Sequence, residues 1–302
     1  MAGSQDFEAD PRNAAALVWL NGALILRAEA RVSLFDAGFG MGDGVWEGLR
    51  LHKGALLFLN AHLDRLFAGA RAIRLEVGLS RAEIAEALAA TLAANAMTDG
   101  VHVRLMVTRG VKATISQDPR NALGQPTIAI TAEHKRPAAR NADGGLALAV
   151  VSVRCTPAAM FDIRLNSHSR LNLITALFEA IEAGADEALM LDPSGFVSSC
   201  NATNFFFVRN GEVLTSTGEF CFNGITRAQV IELCQRDGVP IRMGAFEPDL
   251  ARAADEAFVT GTMGGITPVR RIDGIDLPAC PGPLTRRIRG VYDELKDAEA
   301  AR

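Results

Sequence analysis

The run Asp162-Ile163-Arg164-Leu165-Asn166-Ser167-His168-Ser169-Arg170-Leu171-Asn172 decides the fold class of this chain. Before it, Leu146 to Val153 is a near-continuous apolar stretch, the pattern of a strand buried in a sheet. After it, Leu171, Ile174, Leu177, Phe178 and Ile181 recur at helical spacing. They predict a helix from about His168 to Ala183 that turns those residues inward and ends at Gly184. Strand, polar connection and helix in this order place the chain in the α/β (α+β) class.

Working toward the C-terminus, Glu187 to Leu191 reads as a strand and Asp192-Pro193-Ser194-Gly195 as a turn. Phe196 to Val208 is followed by the hairpin dipeptide Asn210-Gly211 and a short strand, Val213 to Thr215. Gly224-Ile225-Thr226-Arg227 opens a helix, with Thr226 predicted as its N-cap. A threonine there is either a simple cap or part of an anion cradle. Pro248 to Ala254 should be helical, and Ala257 to Thr260 a strand entering Gly261-Thr262-Met263-Gly264-Gly265-Ile266-Thr267-Pro268-Val269. Arg271 to Asp276 is a small hairpin, and Leu284 to Leu295 the last helix.

Toward the N-terminus, Glu133 to Gly145 reads as a linker. Before it, Pro126 to Ala132 and His102 to Thr108 are strands; His102, Arg104 and Met106 face one side of the second. Ser80 with Glu83 is a capping box, and Asn60 to Leu75 is a helix with Leu63, Leu66, Phe67, Ala70 and Ile73 as its apolar stripe. Val18 to Leu26 folds back at Asn21-Gly22, and Arg31 to Leu34 is predicted to continue that sheet. The expected organisation is a flexible N-terminus (1–15), a small α/β domain (16–132), a linker (133–145), a large α/β domain (146–296) and a frayed tail (297–302).

Composition narrows the function classes. A 302-residue chain with 49% hydrophobic residues has ample core for two domains. A net charge of -4 without basic blocks argues against nucleic acid, and no apolar stretch is long enough to span a membrane. The polar, acidic segment from Met1 to Asn13 is unlike a signal peptide. Five cysteines without metal spacing point to a reduced, cytoplasmic protein with no metal. With 31 Lys and Arg together, only Lys53, Lys112, Lys135 and Lys296 are lysines, which makes the search for a catalytic amine short.

Six motifs together resemble the fold-type IV pyridoxal-phosphate (PLP) enzymes: branched-chain and D-amino-acid aminotransferases and aminodeoxychorismate lyase. The resemblance covers about residues 16 to 295 and implies the two-domain architecture of that group. It rests on Met41-Gly42-Asp43-Gly44-Val45-Trp46-Glu47-Gly48, His62-Leu63-Asp64-Arg65-Leu66, Asp162 to Asn172, Val197-Ser198-Ser199 through Asn204-Phe205-Phe206, Gly224 to Arg227, and Gly261 to Val269. It implies phosphate contacts at Arg65, Ile225, Thr226 and Thr262; read alone, Arg65 would be a surface or salt-bridge arginine. It implies a substrate pocket lined by Met41, Trp46, His102, Arg104, Arg109 and Met263, and a homodimer or larger assembly.

The groups that would handle the cofactor ring depart from the family pattern. Asn166 stands at the lysine that carries the cofactor in relatives, and Ser199 at the glutamate that faces the ring nitrogen. Arg170 stands where many relatives have tyrosine. An amide has no basic amine to form the covalent link or move the proton, and serine supplies no charge. Three readings stay open at this stage. The chain binds PLP, pyridoxamine phosphate (PMP) or another phosphate-bearing small molecule noncovalently, with His168, His102 or Arg170 available for a lysine-free reaction. Alternatively it is a working aminotransferase in which Lys112, otherwise a solvated loop lysine, substitutes. Or the fold is kept without catalysis.

Overall fold

The computed structural model of the chain describes residues 3, 7–138 and 144–302. They divide into two compact units, each with its own sheet.

One unit holds residues 9–136, 165–170 and 299–302. In chain order its elements are β1 (Leu17–Leu20), β2 (Ala23–Leu26), α1 (Ala37–Met41), β3 (Gly44–His52), β4 (Ala55–Leu56), α2 (Leu59–Ala72), α3 (Arg81–Ala94), β5 (Val101–Thr108) and β6 (Thr127–His134). The strands form an antiparallel sheet in the order β2-β1-β6-β5-β3-β4. Along β5 burial alternates, so Val101, Val103, Leu105 and Val107 join Leu49, Leu66, Ile84, Leu88 and Ile130 in the core. His102, Arg104 and Met106 lie on the other face, in register with Arg50, Gly48 and Trp46 of β3. The predicted capping box starts α3: Glu83 N–H donates to Ser80 Oγ (3.3 Å) and Ser80 N–H to the Glu83 carboxylate (2.7 Å).

The other unit holds the described residues of 1–8, 137–164 and 171–298. Its elements are β7 (Leu146–Arg154), α4 (Leu171–Glu182), β8 (Glu187–Leu191), β9 (Val197–Cys200), β10 (Asn204–Arg209), β11 (Glu212–Thr215), α5 (Ile225–Arg236), β12 (Ile241–Met243), α6 (Pro248–Arg252), β13 (Glu256–Gly261), β14 (Gly265–Ile272), β15 (Ile275–Asp276) and α7 (Pro283–Ala300). The strand order is β12-β11-β10-β13-β14-β7-β8-β9, with β15 on β14 and parallel pairs at β11–β12, β14–β7 and β7–β8. The sheet is buried on both faces, which is why Phe205-Phe206-Phe207 runs without a polar break. Phe206 stacks on Phe258 (5.0 Å between centroids) on one face, and Phe207 meets Phe246 edge-on (5.5 Å) on the other.

Several expectations are corrected. Arg31 to Leu34 forms no strand: Ser33 starts a turn, accepting the Phe35 and Asp36 amides, that leads into α1. The helix after the key segment begins at Leu171, and its inward residues are Ala176 and Ala180. These small side chains let α4 lie close on β7 and β8, leaving Leu171, Ile174, Phe178 and Ile181 exposed. The N-terminal stretch is tied down in part: Asn13 donates to the His134 carbonyl (2.9 Å) and accepts its amide (2.8 Å). The tail is helical to Ala300 rather than frayed from residue 297. Residues 165–170 group with the smaller sheet, not with the domain that flanks them in sequence. The expected linker includes residues 139–143, which lie outside the described residues.

Candidate functional site

In the smaller-sheet unit the key segment is an added strand fragment on β3. Trp46 N–H donates to the Asn166 carbonyl (2.9 Å), and His168 N–H to the Gly44 carbonyl (3.0 Å). Trp46 Nε1 donates to the Ser167 carbonyl (3.1 Å), and Ser169 Oγ to the Gly42 carbonyl (3.2 Å). Two glycines permit this approach. A Cβ on Gly44 would stand 2.7 Å from the His168 ring, and one on Gly42, at φ +67°, 2.5 Å from Ser169 Oγ.

Asn166 is buried and hydrogen-bonded at both amide atoms. Its Nδ2 donates to the Trp46 carbonyl (2.5 Å), and its Oδ1 accepts from Arg170 Nη2. Around Trp46 the structure gathers cations. The Arg104 guanidinium carbon lies 3.8 Å from the indole centroid and that of Arg170 5.3 Å. Burial, then the charges of Arg104 and Arg65, push Arg170 down to about 10. Burial, then the charges of Lys135, Arg104 and Arg50, push His102 down to about 3. Burial and Arg104 also lower His168, whose Nε2 is buried without a hydrogen-bond partner. Both imidazoles are therefore neutral at pH 7.

On the core side of β3, Glu47 is completely buried. Arg65 grips it with Nε (2.8 Å) and Nη2 (2.7 Å), and His62 Nδ1 lies 2.7 Å from the same carboxylate. Burial raises the Glu47 carboxyl, but the hydrogen bonds from Arg65 and His62 outweigh it and hold the group below its ordinary value. Arg65 therefore anchors α2 to the buried carboxylate of β3.

Two other predicted residues are hydrogen-bonded within this unit. Arg109 is consumed by Asp43 (2.6 and 2.9 Å) and by the carbonyls of Arg74 and Ile73 (2.8 Å each). Lys112 is buried rather than solvated, and its Nζ donates to the Ser116 carbonyl (2.5 Å) within its own loop. Met41 is exposed at the end of α1.

In the larger-sheet unit the start of α5 is held from below. Asn204 Nδ2 donates to the Phe222 carbonyl (2.6 Å), and its Oδ1 accepts the Gly224 amide (3.2 Å). Arg227 Nη2 donates to the Ser216 carbonyl (2.6 Å), Nη1 to Asn223 Oδ1 (3.3 Å), while its buried Nε has no partner. Gly224 caps this 12-residue helix, so Thr226 is a first-turn residue and not the cap. Thr226 is buried, with its hydroxyl 3.5 Å from Tyr292 OH. Thr262 lies in the turn between β13 and β14, next to the buried Met263. The unpaired first-turn amides of α5 suit a phosphate. The ring end of such a cofactor fits less well. Ser199 Oγ donates to the Thr203 carbonyl (2.8 Å) and accepts from Asn204 (3.3 Å), so its hydrogen bonds are used internally.

Sequence reasoning missed Asn204, Arg227 and the Glu47–His62 pair as supports. The signal for Glu47 was available: an acid at an inward position of a strand, opposite a helix carrying His62 and Arg65, must be paired. Among the described residues no cluster of three or more His, Cys, Asp or Glu side chains could hold a metal, and no helix is long and apolar enough to cross a membrane.

Comparison with known proteins gives a consistent result. Residues 44–272 match the family described as amino-transferase class IV. The chain is 40% identical over 288 residues to "Branched-chain-amino-acid aminotransferase-like protein 2" of Arabidopsis thaliana, covering 95% of this chain but 51% of that protein. It therefore spans about half the length of this plant relative. It is 34% identical over 281 residues to a "Putative branched-chain-amino-acid aminotransferase" of Methanocaldococcus jannaschii, covering 92% and 96% of the two chains. Among solved structures, the branched-chain amino acid aminotransferase of Thermobaculum terrenum in its PLP form superposes with a TM-score of 0.84 at 25% identity, covering 95% of each chain.

Proposed function

We propose, from the premise that this chain belongs to the amino-transferase class IV family, that it binds PLP, PMP or a related phosphate ester without a covalent link at position 166. Its activity, on this reading, is lysine-independent or lost. The observation that carries the reading is Asn166, an amide hydrogen-bonded on both sides, to Trp46 and to Arg170, at the lysine position of the family pattern. The first-turn amides at Ile225 and Thr226, with the Thr226 and Thr262 hydroxyls, would hold the phosphate. When bound, such a cofactor supplies an electron-withdrawing ring that stabilises a carbanion. Ser199 leaves that ring without a carboxylate partner, and neutral His102 and His168 are the proton-accepting groups of the Trp46 face.

The names of the relatives favour a second reading, transamination, in which Lys112 would supply the amine. The Lys112–Ser116 contact weighs against it, since the loop would have to open to free the ammonium. Either way the reading includes a homo-oligomer in a cytoplasmic setting. The exposed stripe Leu171, Ile174, Phe178 and Ile181 on α4 supports the former.

The test is to add PLP to purified protein, record the absorbance, reduce with borohydride and measure the intact mass. The expected outcome is no mass gain, cofactor lost on dialysis, and a melting temperature raised by PMP. A stable adduct mapped to Lys112 would establish the transamination reading instead.

A further inference from the structure

We propose that Tyr292 is a positioning residue for the phosphate: its phenol donates to the Thr226 hydroxyl and so turns the Thr226 proton toward the ligand. This inference rests on the phosphate-ester reading and deepens it. The Tyr292 oxygen lies 3.5 Å from Thr226 Oγ1, and both residues are buried. Among the described residues the Thr226 hydroxyl has no other hydrogen-bond partner. The Tyr292 ring also rests on the turn that carries Thr262. A Cβ on Gly265, at φ +63°, would stand 3.4 Å from Cε1 of that ring, and Gly265 pairs with Gly261 across the turn. One side chain thus touches both elements that the reading assigns to the phosphate. Helix α7 is fixed so that this contact is made. Glu256, at the start of β13, accepts the amides of Leu284 (3.1 Å) and Thr285 (2.8 Å) and the Thr285 hydroxyl (2.8 Å). Thr285, Ile288 and Tyr292 are the buried residues of α7 and share one face, so Tyr292 arrives two turns after the anchored start.

Chemistry sets the direction of the bond. A phenol is a stronger acid than an aliphatic alcohol and therefore the better donor, while the threonine oxygen is the better acceptor. Burial pushes the Tyr292 phenol up to about 12, so it keeps its proton at any pH near neutral. A hydroxyl has one proton to give. With Tyr292 donating, Thr226 keeps that proton for an anion, and each bond polarises the next. With the bond reversed, Thr226 would spend its proton on the protein and turn a lone pair toward the phosphate. A second observation marks the same helix start as incompletely satisfied. Thr260 Oγ1 is buried without a partner among the described residues. Thr260 lies directly opposite Asn204 and on the same face of the sheet, and Asn204 Oδ1 accepts the Gly224 amide.

The test is PMP binding by calorimetry in the parent, Tyr292→Phe, Thr226→Val and the double variant. Tyr292→Phe removes the hydroxyl and keeps the ring against Gly265. It is expected to raise the PMP Kd about three-fold. Because Tyr292 acts through Thr226, adding Tyr292→Phe to Thr226→Val should cause no further loss. A side chain that merely shapes the turns would lower affinity equally in both backgrounds, and that result overturns the proposal. So does an unchanged or tighter Kd in Tyr292→Phe, the outcome of a reversed bond. Tyr292 is the only tyrosine of the chain, so [13Cζ]tyrosine labelling gives a single resonance. That resonance should shift when PMP is added to the parent and stay in place in Thr226→Val; equal behaviour in the two proteins overturns the coupling. PMP that fails to bind the parent overturns the phosphate-ester reading and this inference together. PMP bound equally by the parent and Tyr292→Phe overturns this inference alone.

Discussion

The start of α5 and the face around Trp46 present hydrogen-bond donors by opposite means. At α5 the donors are backbone amides and hydroxyls, and the supporting side chains, Asn204 and Arg227, hold carbonyls of the protein itself. That arrangement is a fixed dipole that needs no ionised side chain in contact with the ligand. Around Trp46 the donors are charged side chains, packed close and partly desolvated. The first can persist in a relative whose chemistry has changed, because its hydrogen bonds are local. The second changes with two or three residues.

The largest effect expected is at the charged support under β3. Glu47→Ala leaves Arg65 and His62 facing an empty buried site and should cost about 3–5 kcal/mol in urea unfolding. The sign with pH is fixed by the lowered Glu47 value. Its contribution is fully present above the ordinary carboxylate range and lost as pH falls through the lower folded value. The gap between parent and Glu47→Gln should therefore narrow in acid; a constant gap would mean that the carboxylate charge is not what stabilises β3.

The dipolar site should be softer. Asn204→Ala removes two supports of the Gly224 loop and is expected to cost about 1–3 kcal/mol, with weaker PMP binding measured by calorimetry. Unchanged PMP affinity would uncouple the loop from the ligand. Next comes His102. Its folded value of about 3 lies below the ordinary 6.5, so the unfolded chain binds the extra proton between those limits. Stability should fall with decreasing pH across that window by up to about 1.4 kcal/mol per pH unit, and His102→Gln should flatten the slope. An imidazole NMR titration with a midpoint near 6.5 would contradict this lowering. The smallest effect is Thr226→Val, expected to weaken PMP by about 1 kcal/mol, roughly five-fold, with little change in urea midpoint.

The fold was legible in the sequence where apolar patterning and turn chemistry agreed. The Asn21-Gly22 hairpin, with φ of +48° and +94°, the Ser80 capping box and the buried strand from Leu146 all formed as the local residues dictate. Helix α4 was misread because its stripe of large apolar residues outweighed two alanines. Packing distance, not side-chain size, decides which face meets a sheet. In the site, residue types were legible but pairings were not. Arg65 and Arg109 announced cations, yet their acids, Glu47 and Asp43, come from β3 and the loop before it, and only the folded chain brings them together. The Asn166–Arg170 bond was equally hidden, since i and i+4 meet by default only in a helix and this segment is extended.

The strand fragment on β3 bears on how the polypeptide could be divided. Residues 165–170 enter the smaller-sheet unit from a neighbouring stretch of the larger one and return to it six residues later. A fragment ending at residue 136 would keep every strand of the six-stranded sheet, yet lack the backbone that covers Gly44 to Trp46. It would present a bare edge beside an exposed indole, the arrangement that recruits a second chain into an aggregate. Dissection of this protein into independently expressed halves therefore requires a circularly permuted or peptide-complemented design, with the segment around Asn166 supplied as the missing strand.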